Sequence, residues 1–183
     1  MPISLSETAI LILSALNNHD VRAMRKINDR CIKETALKFG THTYNFALIS
    51  YLLSKILSKP RYFSQKKSKE TLSRVEDLLH QCELAAKSAD YPLLGKLQEK
   101  ILLSIKRIDD EDRRFVKGIL QKGKLKIAAV LYAQGISLGN ASQITGTDKR
   151  ELLLYAGQTT MFDRLKESKG IEQRMRELRK LFS

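Results

Sequence analysis

The chain has 183 residues, with no Trp, 3 Pro and 9 Gly, and 43% of them are apolar, enough for a hydrophobic core without a disulfide or metal staple. Its 33 Lys plus Arg against 20 Asp plus Glu give a formal charge of +13, which makes a polyanion the first partner to consider and leaves DNA, RNA and an acidic membrane surface undistinguished. The apolar run at 9–13 is too short to cross a bilayer and lacks the basic start and cleavage site of a signal peptide, so the expectation is a cytoplasmic protein without membrane contact.

Ser4 and Glu7 have capping-box spacing ahead of that run, which predicts a helix over about 5–17, broken by "NNHD". Asp20 then caps a second helix in which Met24, Ile27, Cys31 and Thr35 recur at steps of three and four, with Arg22, Arg25, Lys26, Arg30 and Lys33 on the other face and Gly40 as the stop. From Tyr44 to Leu57 almost no polar face is left, which marks a central buried helix ending by about Ser58, because Pro60 restricts the residue before it. "PRYFSQKKSKE" reads as a linker. Its Tyr62 and Phe63, set among Arg61, Lys66, Lys67 and Lys69, would suit single-stranded nucleic acid, or else fold back onto the core. Beyond it, Leu72, Val75, Leu79, Cys82, Ala86 and Ala89 define one amphipathic helix, and Leu94, Leu97, Ile101, Ile105 and Ile108 the next. The acidic "DDED" at 109–112 suits a further helix starting near Glu111.

No strand pattern is visible, and the expected fold is all-α: an N-terminal helical bundle over 1–115 and a basic C-terminal unit over 116–183. Charge supports the division, since residues 122–183 hold 12 basic and 6 acidic side chains. Chemistry is poorly provided for. Cys31 and Cys82 have no second ligand at zinc spacing, and His19, His42 and His80 fall in separate elements, so neither a metal nor another cofactor is expected. "GILQKGK" begins like a phosphate-binding loop but carries Leu125 where Ser or Thr would hold magnesium, and no strand precedes it; it reads as a helix break bearing exposed lysines. No nucleophile, paired-carboxylate or metalloprotease pattern is present, and an enzyme is not expected.

Residues 124–158 are more informative. "KLKIAAVLYAQG" gives a helix stopped by Gly135, "SLGNASQI" a short helix, "TG" a tight turn and "TDKRELLLYAG" a third helix, with Asp148 and Glu151 at capping-box spacing. This arrangement resembles the helix-turn-helix family of DNA-binding domains: Ser142 is the small residue where two helices meet, Gly146 the turn glycine and Leu152 the apolar residue inside the last helix, with Ala141 also packed inward. "KIAAVLYAQ" is also loosely similar to the helix ahead of such a motif in the cyclin-type repeats of transcription factor B. The resemblance implies a DNA-binding transcriptional regulator whose last helix enters the major groove. Lys149 and Arg150 would then face base edges, Thr147 and Gln143 backbone phosphates, and Lys122, Lys124 and Lys126 further phosphates. The chain departs from the family pattern in its polar Thr145 and Thr147 beside the turn, and in Leu153 and Leu154 where a DNA reader carries polar groups.

Those leucines support the alternative of a helical scaffold or adaptor without a nucleic-acid role. It would bind another protein, or a second copy of itself, through Leu153, Leu154 and the C-terminal stripe Ile171, Met175 and Leu178. That stripe equally suits a helix packed on its own domain, with Glu172 and Arg176 paired across one turn.

Overall fold

The computed structural model describes residues 4–38, 40–60, 62, 66–110 and 118–158. Among these it has helices and no strand: α1 (Leu5–Asn17), α2 (Val21–Leu37), α3 (Thr41–Leu57), α4 (Lys66–Lys87), α5 (Tyr91–Asp110), α6 (Ile119–Ala133), α7 (Leu138–Thr145) and α8 (Lys149–Gly157). The chain is an all-α multi-helix bundle, and no helix among the described residues is long and apolar enough to cross a membrane. The helix expected near Glu111 and the stripe Ile171, Met175 and Leu178 lie outside the described residues.

The starts and stops have local causes. The Ser4 hydroxyl accepts from the Glu7 N–H while Glu7 reaches back to the Ser4 N–H, closing the capping box. Asp20 caps α2 through the Arg22 and Ala23 N–H groups, both at 2.9 Å. Four of the described helices end in the same way: the chain turns through the left-handed region at His19, Ala89, Gly135 and Gly146. The following N–H of Asp20, Asp90, Ile136 or Thr147 then returns to a carbonyl five residues back, at 2.9, 2.9, 3.1 and 3.1 Å.

The helix α3 is the centre of the bundle and packs on α1, α2, α5 and α6. Its apolar sequence has a matching environment, since Phe46, Ala47, Ile49, Leu52 and Leu53 are fully enclosed. Polar groups inside it form specific pairs: the Asn28 amide of α2 donates to the Ala47 carbonyl at 2.7 Å. Buried Gln98 of α5 donates to the His42 carbonyl at 3.0 Å and accepts from the Asn45 amide at 3.2 Å. Burial pushes the Cys31 and Cys82 thiols up to about 12, which fits unreactive core residues.

Two sequence expectations are corrected. The stretch read as a linker already forms α4 from Lys66; within it Tyr62 follows the second of its two readings, buried against the core with the Lys59 ammonium 5.6 Å from its ring centroid. "GILQKGK" does not break a helix, because α6 begins at Ile119, directly after its N-cap Gly118, and runs through Gly123. That glycine lies where α6 presses on α3: a Cβ there would stand 2.9 Å from Tyr51 Cδ1 and 3.0 Å from Leu48 Cδ1. Gly123→Ala should therefore lower stability by about 1–3 kcal/mol despite alanine's better helix propensity. Gly139→Ala, which meets only Lys149 at 3.9 Å, should be neutral or stabilising. Urea unfolding of both variants checks the contrast.

Candidate nucleic-acid interface

The final three described helices form a unit around α6, with α7 and α8 each packed on it and on each other. Ile127, Ala128, Ala129 and Leu131 of α6, Ala141 of α7, and Leu152 and Ala156 of α8 are all buried in the common apolar cluster. The Ser137 hydroxyl caps α7 by accepting from the Asn140 N–H at 3.2 Å, and Gly146 ends it in the left-handed region with φ of 62°. Asp148 then caps α8 through the Arg150 and Glu151 N–H groups at 2.9 and 3.0 Å. The Glu151 carboxylate accepts from Gln121 of α6 at 3.2 Å, fastening the outer flank of α8.

The turn is held by hydroxyls. Thr145 Oγ1 donates to the Ala141 carbonyl at 2.7 Å, and with that proton committed it accepts from Thr147 Oγ1 at 2.9 Å. The Ser142 hydroxyl donates to the Thr147 carbonyl, and the Thr147 N–H donates to the Ser142 carbonyl at 3.1 Å. From outside the unit, the buried Tyr44 hydroxyl of α3 donates to the Thr145 carbonyl at 3.3 Å. Thr147, expected at a phosphate, is instead 6% exposed with its hydroxyl turned into this network. A lone Thr beside a turn gives no sign of which way it faces; the pairing of two such Thr residues with Ser142 was the available signal.

The other expected residues divide by face. Lys149, Arg150, Leu153 and Leu154 are all exposed, at spacings that put them on one side of α8, while Leu152 and Ala156 are buried on the other. Gln143 is exposed on α7. Lys124 points away from Lys122 and Lys126, because residues two apart on a helix lie on opposed sides while residues four apart share one. Lys122 is exposed. A Cβ on Gly146 would stand 3.9 Å from the Lys124 ammonium, which places Lys124 at the turn. Lys126 lies towards the bundle with its ammonium 5.1 Å from the Tyr51 ring centroid. Among the described residues no group of three or more His, Cys, Asp or Glu is placed to hold a metal ion.

No protein-family model, curated protein or solved structure matches the chain.

The turn network and Lys126 each generate a prediction. Thr145→Val and Thr147→Val should each cost about 1–3 kcal/mol, since each strands a buried partner, and the double variant should cost less than the sum. Denaturant unfolding of the four proteins in this cycle measures the coupling. For Lys126, burial first and then the charge of Lys55 hold the ammonium below its ordinary value; Asp29 acts the other way and Arg25 adds to the lowering. A lysine depressed in the folded state costs stability while protonated, and the cost fades as pH rises from the lowered value to the ordinary one. Lys126→Met should thus raise the melting temperature at neutral pH, with the gain shrinking in the alkaline range.

Proposed function

We propose that this chain binds nucleic acid, duplex DNA foremost, as a regulator of transcription in the reducing interior of the cell, with α7, the turn and α8 as a helix-turn-helix. One observation carries the reading: α8 is anchored by Leu152 and Ala156 while Lys149, Arg150, Leu153 and Leu154 all face solvent. A helix displayed in this way can lie in a major groove; one buried against the bundle could not. Arg150 can give a guanine two hydrogen bonds from its planar fork, and Lys149 a compact charge beside it. Lys124 would hold a phosphate at the turn, and Gln143 and Lys122 further phosphates. The formal charge of +13 supplies the general attraction to a polyanion.

A second reading rests on Leu153 and Leu154, which are 54% and 66% exposed. Two neighbouring leucines in water on one helix face also suit a protein partner or a second copy, in an adaptor with no nucleic-acid role.

Binding to random duplex DNA, duplex RNA and single strands across a salt series tests the first reading. Affinity for the preferred nucleic acid should fall by orders of magnitude from low to moderate salt. Replacing Lys149 and Arg150 together by Ala should then erase about 1–3 kcal/mol of sequence preference for each base that these side chains read. Absence of binding at low salt overturns the reading. Loss of self-association in a Leu153→Ser, Leu154→Ser variant would favour the adaptor instead.

A further inference from the structure

Where α6 crosses the bundle, ammonium groups from two helices lie near one aromatic ring. The Tyr51 ring of α3 has the Lys55 ammonium 5.4 Å and the Lys126 ammonium 5.1 Å from its centroid. The charge of Arg25 on α2 reaches Lys126 as well. Among the described residues, no carboxylate lies within ion-pair distance of Lys55, Lys126 or Arg25; Asp29 is near enough to influence Lys126 without pairing with it. Tyr51 itself is only 8% exposed, and its hydroxyl has no hydrogen-bond partner among the described residues. Tyr155 of α8 stands close enough to help push the Tyr51 phenol up to about 12, although burial contributes more.

Each part of this arrangement is unfavourable without a ligand. Cations held together repel, and the repulsion grows as water is excluded, as it is around half-buried Lys126. A buried hydroxyl without a partner forgoes a hydrogen bond worth about 1 kcal/mol or more. An aromatic face accounts for one ammonium, and even two, but not for the missing carboxylate or the unpaired phenol. A phosphate group supplies both missing parts at once: negative charge for the ammonium groups and acceptor oxygens for the hydroxyl.

We propose that Lys55 and Lys126, with the Tyr51 hydroxyl, form a phosphate-binding site between α3 and α6, and that the phosphate belongs to the backbone of the nucleic acid that α8 would meet. The source of the phosphate rests on the nucleic-acid reading above; the site itself does not. This site would fix the nucleic acid against the bundle without reading its sequence, whereas Lys149 and Arg150 would read it.

The test uses the full chain, a Lys55→Gln, Lys126→Gln variant that keeps most of both aliphatic stems, and Tyr51→Phe, which removes only the hydroxyl. Lys96→Gln, Lys100→Gln on exposed positions of α5 controls for loss of charge alone, and circular dichroism checks folding. In duplex-binding titrations the double variant should lose about tenfold in affinity on every sequence. The slope of log affinity against log salt should fall by about one, a change the control pair does not reproduce. Separately, inorganic phosphate should raise the melting temperature of the wild-type chain above that in chloride of equal ionic strength, with less effect on Tyr51→Phe and none on the double variant.

If the wild-type chain binds no duplex, the nucleic-acid reading fails, and the inorganic-phosphate series decides the site by itself. A shift abolished in the double variant upholds it with free phosphate as the source; no shift overturns it. If duplex is bound but the double variant matches the control pair in affinity, slope and phosphate response, the site is overturned while the nucleic-acid reading stands.

Discussion

Backbone-close contact between α6 and α3 is the constraint from which the rest of the architecture follows. Because Gly123 presents no side chain, Tyr51 and Leu48 of α3 lie directly against α6. That approach sets the angle at which α6 leaves the bundle, and α6 in turn carries α7 and α8. It also explains why Lys126, one turn further along α6, ends over the Tyr51 ring. A bulkier residue at 123 would have moved the whole displayed unit, not only one side chain. The buried apolar side chains accordingly form one cluster reaching from Ala9 in α1 to Ala156 in α8.

The turn between α7 and α8 shows a different means of fixing geometry. Apolar packing is tolerant of small displacements, whereas hydrogen bonds fail over a few tenths of an ångström and a misaligned buried hydroxyl is costly. Ser142, Thr145 and Thr147 thus define the relation of the two helices by direction as well as distance. Tyr44 adds a bond from α3 to the last carbonyl of α7, so the turn is referred to the centre of the bundle as well as to its own unit. A buried polar network is favourable only when every member is satisfied, which is the condition met here by the two threonine hydroxyls.

Much of the fold was legible in the sequence because its signals are local. Ser4, Asp20 and Asp148 announce helix starts through chemistry contained within a few residues, and the starts are where they predict. The unbroken apolar run of α3 identifies the central helix without reference to any other segment. What was illegible depends on partners distant in the chain. Gly123 reads locally as a helix breaker, and only the presence of Tyr51 and Leu48, some seventy residues earlier, gives it a place inside a helix. Thr147 reads as an exposed hydroxyl until Thr145 and Ser142 are seen to turn it inward. Lys122, Lys124 and Lys126 look like one basic patch in sequence, yet their period of two turns Lys124 away from the other two on α6. The grouping of Lys126 with Lys55 at the Tyr51 ring could not be read from spacing at all.

The cap on α8 also governs how that helix can meet an anion. Helix starts are common seats for phosphate because their first N–H groups point outward unpaired. Here Asp148 has already taken the Arg150 and Glu151 amides, and its own carboxylate stands at the tip. The end of α8 is therefore electrically closed from within. A polyanion bound as proposed would be turned away from the axis of the helix and would come alongside, so that α8 would be met broadside, with Lys149 and Arg150 as the cations on the flank it offers.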